Sequence, residues 1–349
     1  MKYERPILRD VAGYTPGEQP QGGSVIKLNT NENPYPPSPK VFEAMQAATA
    51  QAIKNYPDPV SSELRRVCAE RYGYESADWV IAGNGMDELL AMALRTFVDP
   101  GETVLSPYPT YTLYEVLANL HGAQYRTVEL DDDFQLTDAF FKTPARLCFL
   151  PRPNAPTGVS SPRAVVEKLC GAFDGVVVID EAYADFSDDD CLDLPRKFDN
   201  VIVMRTFSKS FSLAGLRLGV AIAQPDTIQS LLKTKDSYNL NAMTQAAGIA
   251  AMNDYGSMET NARKVIDTRE RLTGALKELG FGVPPSQSNF VLARRQGDPS
   301  AREMFEALRE RGILVRYFDA PRLRDSLRIS IGTDSEIDAL ISALKEFIA

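Results

Sequence analysis

The sequence contains little histidine and little cysteine, and both shortages restrict its chemistry. The one histidine, His121, stands in ANLHGA at a predicted helix end, so a zinc site built on several histidines is excluded. We interpret His121 as a capping or solvated residue. The four cysteines form no CxxC pair, so neither a disulfide framework nor a thiolate metal site is expected. No metal is predicted.

Long apolar runs and a basic surface are also missing. There is no run of about 18 apolar residues, and the N-terminal MKYERPILRDVAGY lacks the apolar stretch of a signal peptide, so a cytoplasmic protein without a membrane partner is expected. The formal net charge of −9 argues against a nucleic-acid partner. From 294 to 328, however, nine arginines and no lysine occur. They are suited to bidentate binding of carboxylate or phosphate, or form a solvated helix face.

Apolar runs alternate with helical patterns in the middle of the chain. Strands are predicted at WVIAG, ETVLSP, ARLCFLP, GVVVIDEAY, VIVMRTFS and RLGVAIA. Helices are predicted between several of them, at DELLAMALRTFV, YTLYEVLANL and RAVVEKLCGAF. This alternation is typical of an α/β protein with a largely parallel sheet covered by helices on both faces.

The pattern changes after about residue 255. A long polar helix is expected over 258–279, short strands around NFVLA, ILVRY and SLRISI, and helices at 300–311 and 334–347. At 349 residues the chain is long enough for about two domains. We therefore predict a large domain over 30–255 and a smaller α+β domain over 256–349. An irregular arm over 1–29, with the proline- and glycine-rich GYTPGEQPQGG, belongs with the smaller domain.

Polar side chains follow two neighbouring predicted strands. Asp180 ends the apolar run of GVVVIDEAY, Tyr183 comes three residues later, and Lys209 follows the next strand in RTFSKS. Ligands of open α/β sheets lie at the carboxyl ends of the strands, although an aspartate there could merely cap a turn. A desolvated lysine can form an imine with a carbonyl. Pyridoxal phosphate needs such a lysine and an aspartate beside its ring nitrogen, so the pair favours this cofactor.

The phosphate of this cofactor would need hydrogen-bond donors. Thr206 and Ser208 offer hydroxyls, and Arg217 offers a guanidinium eight residues after Lys209. The GNGMDELL segment would add backbone N–H groups where it turns into a helix, because a helix N-terminus attracts anions. Alone, a Gly-Asn-Gly turn before a helix is usually only a turn.

Nine motifs occur in the order in which one family has them. They are GYTPGEQP, KLNTNENPYPPSP, NYPDP, GNGMDELL, SPYPTYTLY, PRPNAPTG, VVVIDEAYADF, RTFSKSFSLAGLRLG and SLRISIGT. By these motifs the chain resembles the fold-type I pyridoxal-phosphate aminotransferases, and within them the histidinol-phosphate aminotransferase family. The resemblance covers nearly the whole chain, and SKSFSLAGLRLG is its most specific part.

The resemblance implies a role for each matching residue at the cofactor. Lys209 matches the lysine of the Schiff base, Asp180 the partner of the pyridine nitrogen, and Tyr183 the tyrosine bonded to the ring 3-hydroxyl. Tyr111 matches the aromatic residue stacked on the ring face. The residues that match the phosphate site are Gly85, Met86, Ser208 and Arg217, with Thr206 as a weaker member.

Further matches concern the substrate and a second subunit. Tyr56 matches a tyrosine that reaches the cofactor phosphate of the neighbouring subunit, which implies an obligate homodimer with shared active sites. Arg328 matches the arginine that binds the substrate α-carboxylate, and Arg316 matches a second anion-binding arginine. Arg316 would otherwise be a strand-end residue facing water. Tyr14 matches a tyrosine of the N-terminal arm that closes over the substrate.

Two positions depart from the family pattern. The family usually has two asparagines before PTG, whereas here Asn154 is followed by Ala155. We expect Asn154 to supply the contact to the ring 3-hydroxyl. Met86 stands where serine or alanine is commoner, which is harmless if only its backbone N–H binds phosphate.

The resemblance implies amino transfer between histidinol phosphate and 2-oxoglutarate in histidine biosynthesis, with glutamate as the other amino donor. An aromatic-amino-acid aminotransferase and a threonine-phosphate decarboxylase would keep the same motifs, so both remain alternatives. A ligand-sensing domain of a transcription regulator is not expected, since the irregular residues before KLNTNEN leave no room for a DNA-binding domain.

Overall fold

The computed structural model describes residues 3–9, 11–20, 25–52 and 54–348, the side chains at 49–52 excepted. The expected arm over 1–29 therefore lies partly outside the described residues, as does the end of GYTPGEQPQGG. In the described ranges the strands are β1 (Ile26–Lys27), β2 (Val80–Asn84), β3 (Thr103–Tyr108), β4 (Gln124–Glu129), β5 (Leu147–Pro151), β6 (Val176–Asp180), β7 (Val201–Thr206), β8 (Leu218–Ile222), β9 (Phe290–Arg294), β10 (Ile313–Leu314), β11 (Arg316–Tyr317) and β12 (Ser326–Ser330).

The α-helices of the same ranges are α1 (Pro39–Ala52), α2 (Ser62–Arg71), α3 (Met86–Phe97), α4 (Leu113–His121), α5 (Asp138–Lys142), α6 (Arg163–Ala172), α7 (Leu194–Lys197), α8 (Pro225–Leu232), α9 (Ala242–Asn253), α10 (Tyr255–Glu278), α11 (Ala301–Glu310) and α12 (Asp334–Ile348). His121 ends α4, and its Nε2 lies 2.6 Å from the Val98 carbonyl oxygen. Across the described ranges, no helix combines the length and the apolar character needed to cross a membrane.

Seven strands form the large sheet, in the order β2-β8-β7-β6-β5-β3-β4. Strand β8 is antiparallel to both of its neighbours, and the other pairings are parallel. Successive residues of β6 point to opposite faces: Val178 packs in one apolar cluster with Leu90 of α3, and Val177 packs in another with Leu169 of α6. Helices therefore cover both faces, which confirms the predicted α/β class.

The predicted strands of this sheet are all present, and one further strand was not predicted. Strand β4 (Gln124–Glu129) lies at the edge of the sheet, and its residues are exposed or half-buried. It carries no apolar run because it packs little surface against a helix layer. This explains why periodicity alone did not identify it.

Residues after 255 form the helices and strands expected there, with one difference. ILVRY is two short strands rather than one: β10 pairs in parallel with β1, and β11 pairs antiparallel with β12 in the three-stranded sheet β11-β12-β9. The prediction of a single strand was wrong, because the two halves hydrogen-bond to different partners. One apolar cluster joins Leu64 of α2, Val220 of β8, Leu272 of α10 and Leu344 of α12. The boundary between two domains stays a prediction.

Candidate active site

A cavity of about 220 Å³ opens where β5, β6 and β7 end, and Pro151, Asp180 and Thr206 line it. Most of the residues singled out from the sequence meet in its wall. Those that line it are Tyr14, Met86, Tyr111, Asp180, Tyr183, Thr206, Ser208, Lys209, Arg217, Arg316 and Arg328. The position agrees with the rule that ligands of open α/β sheets bind beyond the carboxyl ends of the strands.

Lys209 follows β7 and enters the cavity from its floor. Its Nζ donates a hydrogen bond to the Thr30 carbonyl at 3.3 Å. Burial lowers the pKa of Lys209 to about 8, and the positive charge of Arg328 acts in the same direction. An amine with this pKa is neutral in a substantial fraction of molecules near neutral pH, which is the form that attacks a carbonyl or takes up a proton.

Asp180 ends β6 and is buried. Its Oδ2 accepts a hydrogen bond from the Tyr114 hydroxyl at 2.5 Å, and its Oδ1 accepts one from the Ala182 N–H at 3.0 Å. Burial raises the pKa of Asp180 to about 6, although the bond from Tyr114 opposes this shift. The bond to Ala182 is the turn cap that the sequence allowed as an alternative. The same carboxylate also faces the cavity, so it is available to a ligand.

Arg217 lies over the N-terminus of α3. Gly85 precedes that helix with φ of 76°, and a Cβ added to it would lie 2.6 Å from Arg217 Nη2. Arg217 Nη1 donates to Ser208 Oγ at 3.3 Å, and Nη2 lies 3.2 Å from Asp87 Oδ2. The free N–H groups of a helix start, a hydroxyl and a guanidinium together form an anion site.

Gly219 and Thr206 complete the surroundings of this anion site. A Cβ at Gly219 would lie 2.7 Å from Met86 N, so only glycine allows β8 to approach the start of α3 so closely. Thr206 Oγ1 accepts a hydrogen bond from the Ser208 N–H at 3.2 Å and lies 3.4 Å from the Leu218 carbonyl. The Thr206 hydroxyl thus holds the Ser208 segment as well as lining the cavity.

Three tyrosines stand edge to face along one side of the cavity. The rings of Tyr14 and Tyr111 have centroids 5.7 Å apart, and those of Tyr111 and Tyr114 are 5.5 Å apart. Tyr114 is fully buried and was not identified from the sequence. Its spacing of three residues from Tyr111 places both on one side of the α4 start, and this spacing was the available signal.

Arg316 and Arg328 are directly opposite each other on the paired strands β11 and β12. Like charges in this position destabilise a sheet unless something neutralises them. Arg328 Nη2 donates to the Asn29 carbonyl at 2.8 Å, while its buried Nε has no hydrogen-bond partner among the described residues. Burial lowers the pKa of Arg328, and Arg316 contributes to the shift. Two guanidiniums thus line the cavity without neutralising each other.

Three of the residues assigned from the sequence are not among those that line the cavity. Gly85 lies just behind Met86 at the start of α3. The amide of Asn154 donates to the Pro109 carbonyl at 3.0 Å and to Thr157 Oγ1 at 3.1 Å, so it is engaged inside the wall. Tyr56 is 80% exposed and stacks on the ring of Tyr238, with centroids 4.4 Å apart. Their assigned roles stay predictions.

The KLNTNENP motif crosses the cavity, although none of its residues was assigned a role from the sequence. The Asn29 carbonyl accepts a hydrogen bond from Arg328, and the Thr30 carbonyl accepts one from Lys209. Asn31 Nδ2 donates to the Tyr183 hydroxyl at 3.0 Å. The three asparagines at every second position were the visible signal. The cavity-lining residues that sequence reasoning missed include Gly17, Asn29, Thr30, Asn31, Asp87, Thr110, Thr112, Tyr114 and Phe318.

Comparison with known proteins agrees with this geometry. A family model described as aminotransferase class I and II matches residues 23–344. The chain is 48% identical over 340 residues to a histidinol-phosphate aminotransferase from Synechocystis sp., covering 97% of each chain. It is 47% identical over 344 residues to one from Microcystis aeruginosa, covering 99% of this chain and 98% of that relative.

A solved structure also superposes on the whole chain. The histidinol-phosphate aminotransferase from Sinorhizobium meliloti in complex with pyridoxal-5'-phosphate has a TM-score of 0.89 at 27% identity. The match covers 100% of this chain and 98% of that structure. The chain belongs to the class I and II aminotransferases.

Proposed function

We propose that this chain is a pyridoxal-phosphate enzyme that transfers an amino group between histidinol phosphate and 2-oxoglutarate in histidine biosynthesis. The observation that carries the proposal is the pair of arginines, Arg316 and Arg328, that line one cavity with Lys209. The high identity to relatives that bear the name histidinol-phosphate aminotransferase, over nearly their full length, supports it.

The residues of the cavity fit the cofactor. A lysine with a lowered pKa, a buried aspartate and an anion site at the start of α3 line the same space. The clash that a Cβ at Gly219 would make with the Met86 backbone nitrogen shows how closely that anion site is built. Pyridoxal phosphate, when bound, supplies a carbonyl that takes up amino groups and a protonated ring that withdraws electrons.

Each side chain has a defined task toward this group. Lys209 would hold the carbonyl carbon, and Asp180 would hold the proton on the ring nitrogen. Tyr111 would cover the ring face, and Tyr183 would reach the ring oxygen. The phosphate would be held by Gly85, Met86, Ser208 and Arg217, with Thr206 supporting the Ser208 segment.

Lys209 also moves the proton of the reaction. When its amine is free, Lys209 Nζ would take the proton from the substrate carbon and later return it. The burial that lowers the pKa of Lys209 to about 8 keeps this amine close to the neutral form that a general base requires. Asp180 remains buried beside the Tyr114 hydroxyl, so its charge acts in a site of low polarity, where electrostatic interactions are strongest.

The two arginines serve the two substrates. Glutamate has an α-carboxylate, which we propose that Arg328 binds. Histidinol phosphate has no α-carboxylate but has a phosphate, which we propose that Arg316 binds. The Arg316 Nη atoms lie 3.5 Å from the carbonyls of Thr15 and Pro16, so the guanidinium also contacts the segment that carries Tyr14. This contact supports the proposed closure of Tyr14 over the substrate.

The reaction is proposed to occur in a cytoplasmic homodimer. Tyr56 is 80% exposed and stacks on Tyr238, so the pair forms an exposed aromatic surface that a second subunit could cover. An inactive Lys209→Ala protein mixed with an inactive Tyr56 variant should form hybrid dimers with one intact site and regain activity. A lack of recovery after verified subunit exchange would contradict the shared site.

One experiment separates the proposed reaction from its rivals. The purified enzyme loaded with pyridoxal phosphate is mixed in turn with histidinol phosphate, phenylalanine and threonine phosphate while its absorbance is followed. We expect histidinol phosphate to convert the cofactor to its amine form fastest, and 2-oxoglutarate to restore it. Faster conversion by phenylalanine would indicate an aromatic aminotransferase, and release of carbon dioxide from threonine phosphate would indicate the decarboxylase.

A further inference from the structure

Asn31 stands at the centre of the segment that crosses the cavity, and its conformation is unusual. Its φ is 55°, in the left-handed region that asparagine and glycine tolerate best, and it is 2% exposed. A buried asparagine in this conformation is held by several contacts, and these contacts determine where its amide hydrogens point.

Three hydrogen bonds fix the orientation of Asn31. Its backbone N–H donates to Ser330 Oγ at 2.8 Å, and Ser330 Oγ donates to Asn31 Oδ1 at 3.1 Å. The Asn31 carbonyl accepts from Asn289 Nδ2 at 2.9 Å. With Oδ1 committed to Ser330, the Nδ2 hydrogens can only face the other way, toward Tyr183.

The bond from Asn31 Nδ2 determines what Tyr183 can do. Because the Tyr183 oxygen accepts at 3.0 Å, its own hydrogen is directed elsewhere, and Tyr183 lines the cavity. The ring of Tyr183 is held edge to face on Phe290, with centroids 5.0 Å apart. The hydroxyl is therefore oriented as a donor to whatever occupies the cavity.

The neighbouring wall makes this donor more important. Ala155 and Pro156 also line the cavity, and neither side chain offers a donor. The nearest amide in that segment, Asn154, is bonded to Pro109 and Thr157. Among these residues, Tyr183 is the one whose hydroxyl can donate to the ring oxygen of the cofactor.

We infer that Asn31 is a positioning residue that orients the Tyr183 hydroxyl toward the cofactor ring oxygen, and that it compensates for the missing amide at Ala155. This inference rests on the proposed function, since it requires pyridoxal phosphate in the cavity. It replaces the expectation that Asn154 makes the contact.

The test is the pH titration of the absorbance of the bound cofactor. A hydrogen bond donated to the ring oxygen stabilises its anionic form, so loss of an oriented donor raises the pH midpoint of the absorbance change. We expect Asn31→Gly, which suits the left-handed backbone, to raise the midpoint by about one pH unit, the size of a hydrogen bond to a charged group. Ser330→Ala, which keeps Asn31 but frees its amide, should cause a smaller shift in the same direction.

Two further variants distinguish positioning from a general loss of structure. In a Tyr183→Phe background, Asn31→Gly should cause no additional shift, because the group that it orients is gone. In an Ala155→Asn background, the shift caused by Asn31→Gly should fall to less than half, because a second donor is present. A merely structural asparagine would lower the unfolding temperature of both backgrounds and leave the midpoint unchanged.

The outcomes separate this inference from the proposed function. If the wild-type protein shows no imine absorbance of the cofactor, or if Lys209→Ala retains that imine absorbance, the proposed function is wrong. If the wild type titrates normally but Asn31→Gly and Ser330→Ala leave the midpoint in place, or if their shifts persist in full without Tyr183, the role of Asn31 is wrong and the proposed function stands.

Discussion

The ends of β6 and β7 carry charged side chains on both sides. On one side they line the cavity, on the other they form a buried network, and the two groups differ in how their charges are paired. Asp180 lines the cavity, whereas the next residue, Glu181, is buried on the other side. Thr206 and Arg205 of β7 diverge in the same way, as neighbours on a strand must. Adjacent residues at each strand end thus belong to different structures: one lines the cavity and the other joins a buried network of charges.

In the network, each charge has an opposite partner. Arg205 Nε lies 2.9 Å from Glu181 Oε2, and its other nitrogens lie 2.5 Å from Asp185 and 3.1 Å from Asp190. Burial alone would lower the pKa of Arg205, but these carboxylates together raise it above its ordinary value. Ser210, next to Lys209, bonds to Asp185, so the network also anchors the segment that carries the lysine.

In the cavity, three of the four cations that line it in the described structure lack such partners, and only Arg217 is paired, with Asp87. Within the described part of the chain, no carboxylate lies within 4.0 Å of Lys209, Arg316 or Arg328. The pKa values of Lys209 and Arg328 are both lowered, first by burial and then by neighbouring positive charge. We propose that the anionic groups of a ligand offset this cost. The full pairing of Arg205 indicates a structural role, and the unpaired Lys209, Arg316 and Arg328 indicate binding.

Lys209 should show the largest effect on the cavity side. We expect Lys209→Ala to abolish turnover and the borohydride-sensitive absorbance, because no other lysine lines the cavity in the described structure. Enzyme assays and absorbance spectra of the purified variant check this, with its unfolding temperature as the control for folding. Transamination near the wild-type rate would contradict the assignment.

Asp180 should show the next largest effect. A carboxylate beside the ring nitrogen acts chiefly in the transition state, so Asp180→Ala should lower kcat by orders of magnitude more than it weakens cofactor binding. Steady-state kinetics and cofactor titration measure the two quantities separately. If the bond to Ala182 were its whole role, the variant would lose about 1 kcal/mol of stability and keep its kcat.

Some features of the fold and of the cavity could be predicted from the sequence, and others could not. The apolar strands and the residues at their ends could be predicted, because periodicity and sheet topology bring Asp180 and Lys209 together. The polar edge strand β4 could not, because it carries no apolar run. The division of ILVRY could not, because pairing partners distant in sequence determine it. Asn31 was missed for the same reason, since it contacts Tyr183 across 152 residues.

Arg316 should show a smaller, substrate-dependent effect. Charge-assisted hydrogen bonds contribute roughly 1.5 to 3 kcal/mol each, so Arg316→Ala should reduce kcat/KM for histidinol phosphate about ten- to a hundredfold. The loss with phenylalanine, which has no phosphate, should be smaller. Equal losses with both substrates would mean that Arg316 does not select for phosphate.

The smallest expected effect is on the pH dependence of stability without ligand. Because the pKa of Lys209 is lowered from 10.5 to about 8 in the folded state, the unfolded chain binds more protons between these values. This residue therefore makes the free energy of unfolding rise with pH from about 8 to 10.5, by up to about 1.4 kcal/mol per pH unit. Denaturant titrations of the ligand-free wild type and Lys209→Met should differ in slope. Parallel curves would show that Lys209 is not desolvated.

The contrast in charge pairing is tested most directly by removing the buried Arg205 from the network and the half-buried Arg328 from the cavity. The free energy of unfolding of ligand-free Arg205→Met and Arg328→Met is measured by denaturant titration, together with kcat/KM. We predict that Arg205→Met loses about 3–5 kcal/mol because it leaves the buried Glu181 with only Arg152, at 4.0 Å, as a cationic partner. Arg328→Met should keep wild-type stability or exceed it, yet lose most of its kcat/KM for glutamate. A comparable loss of stability in both variants would contradict the account.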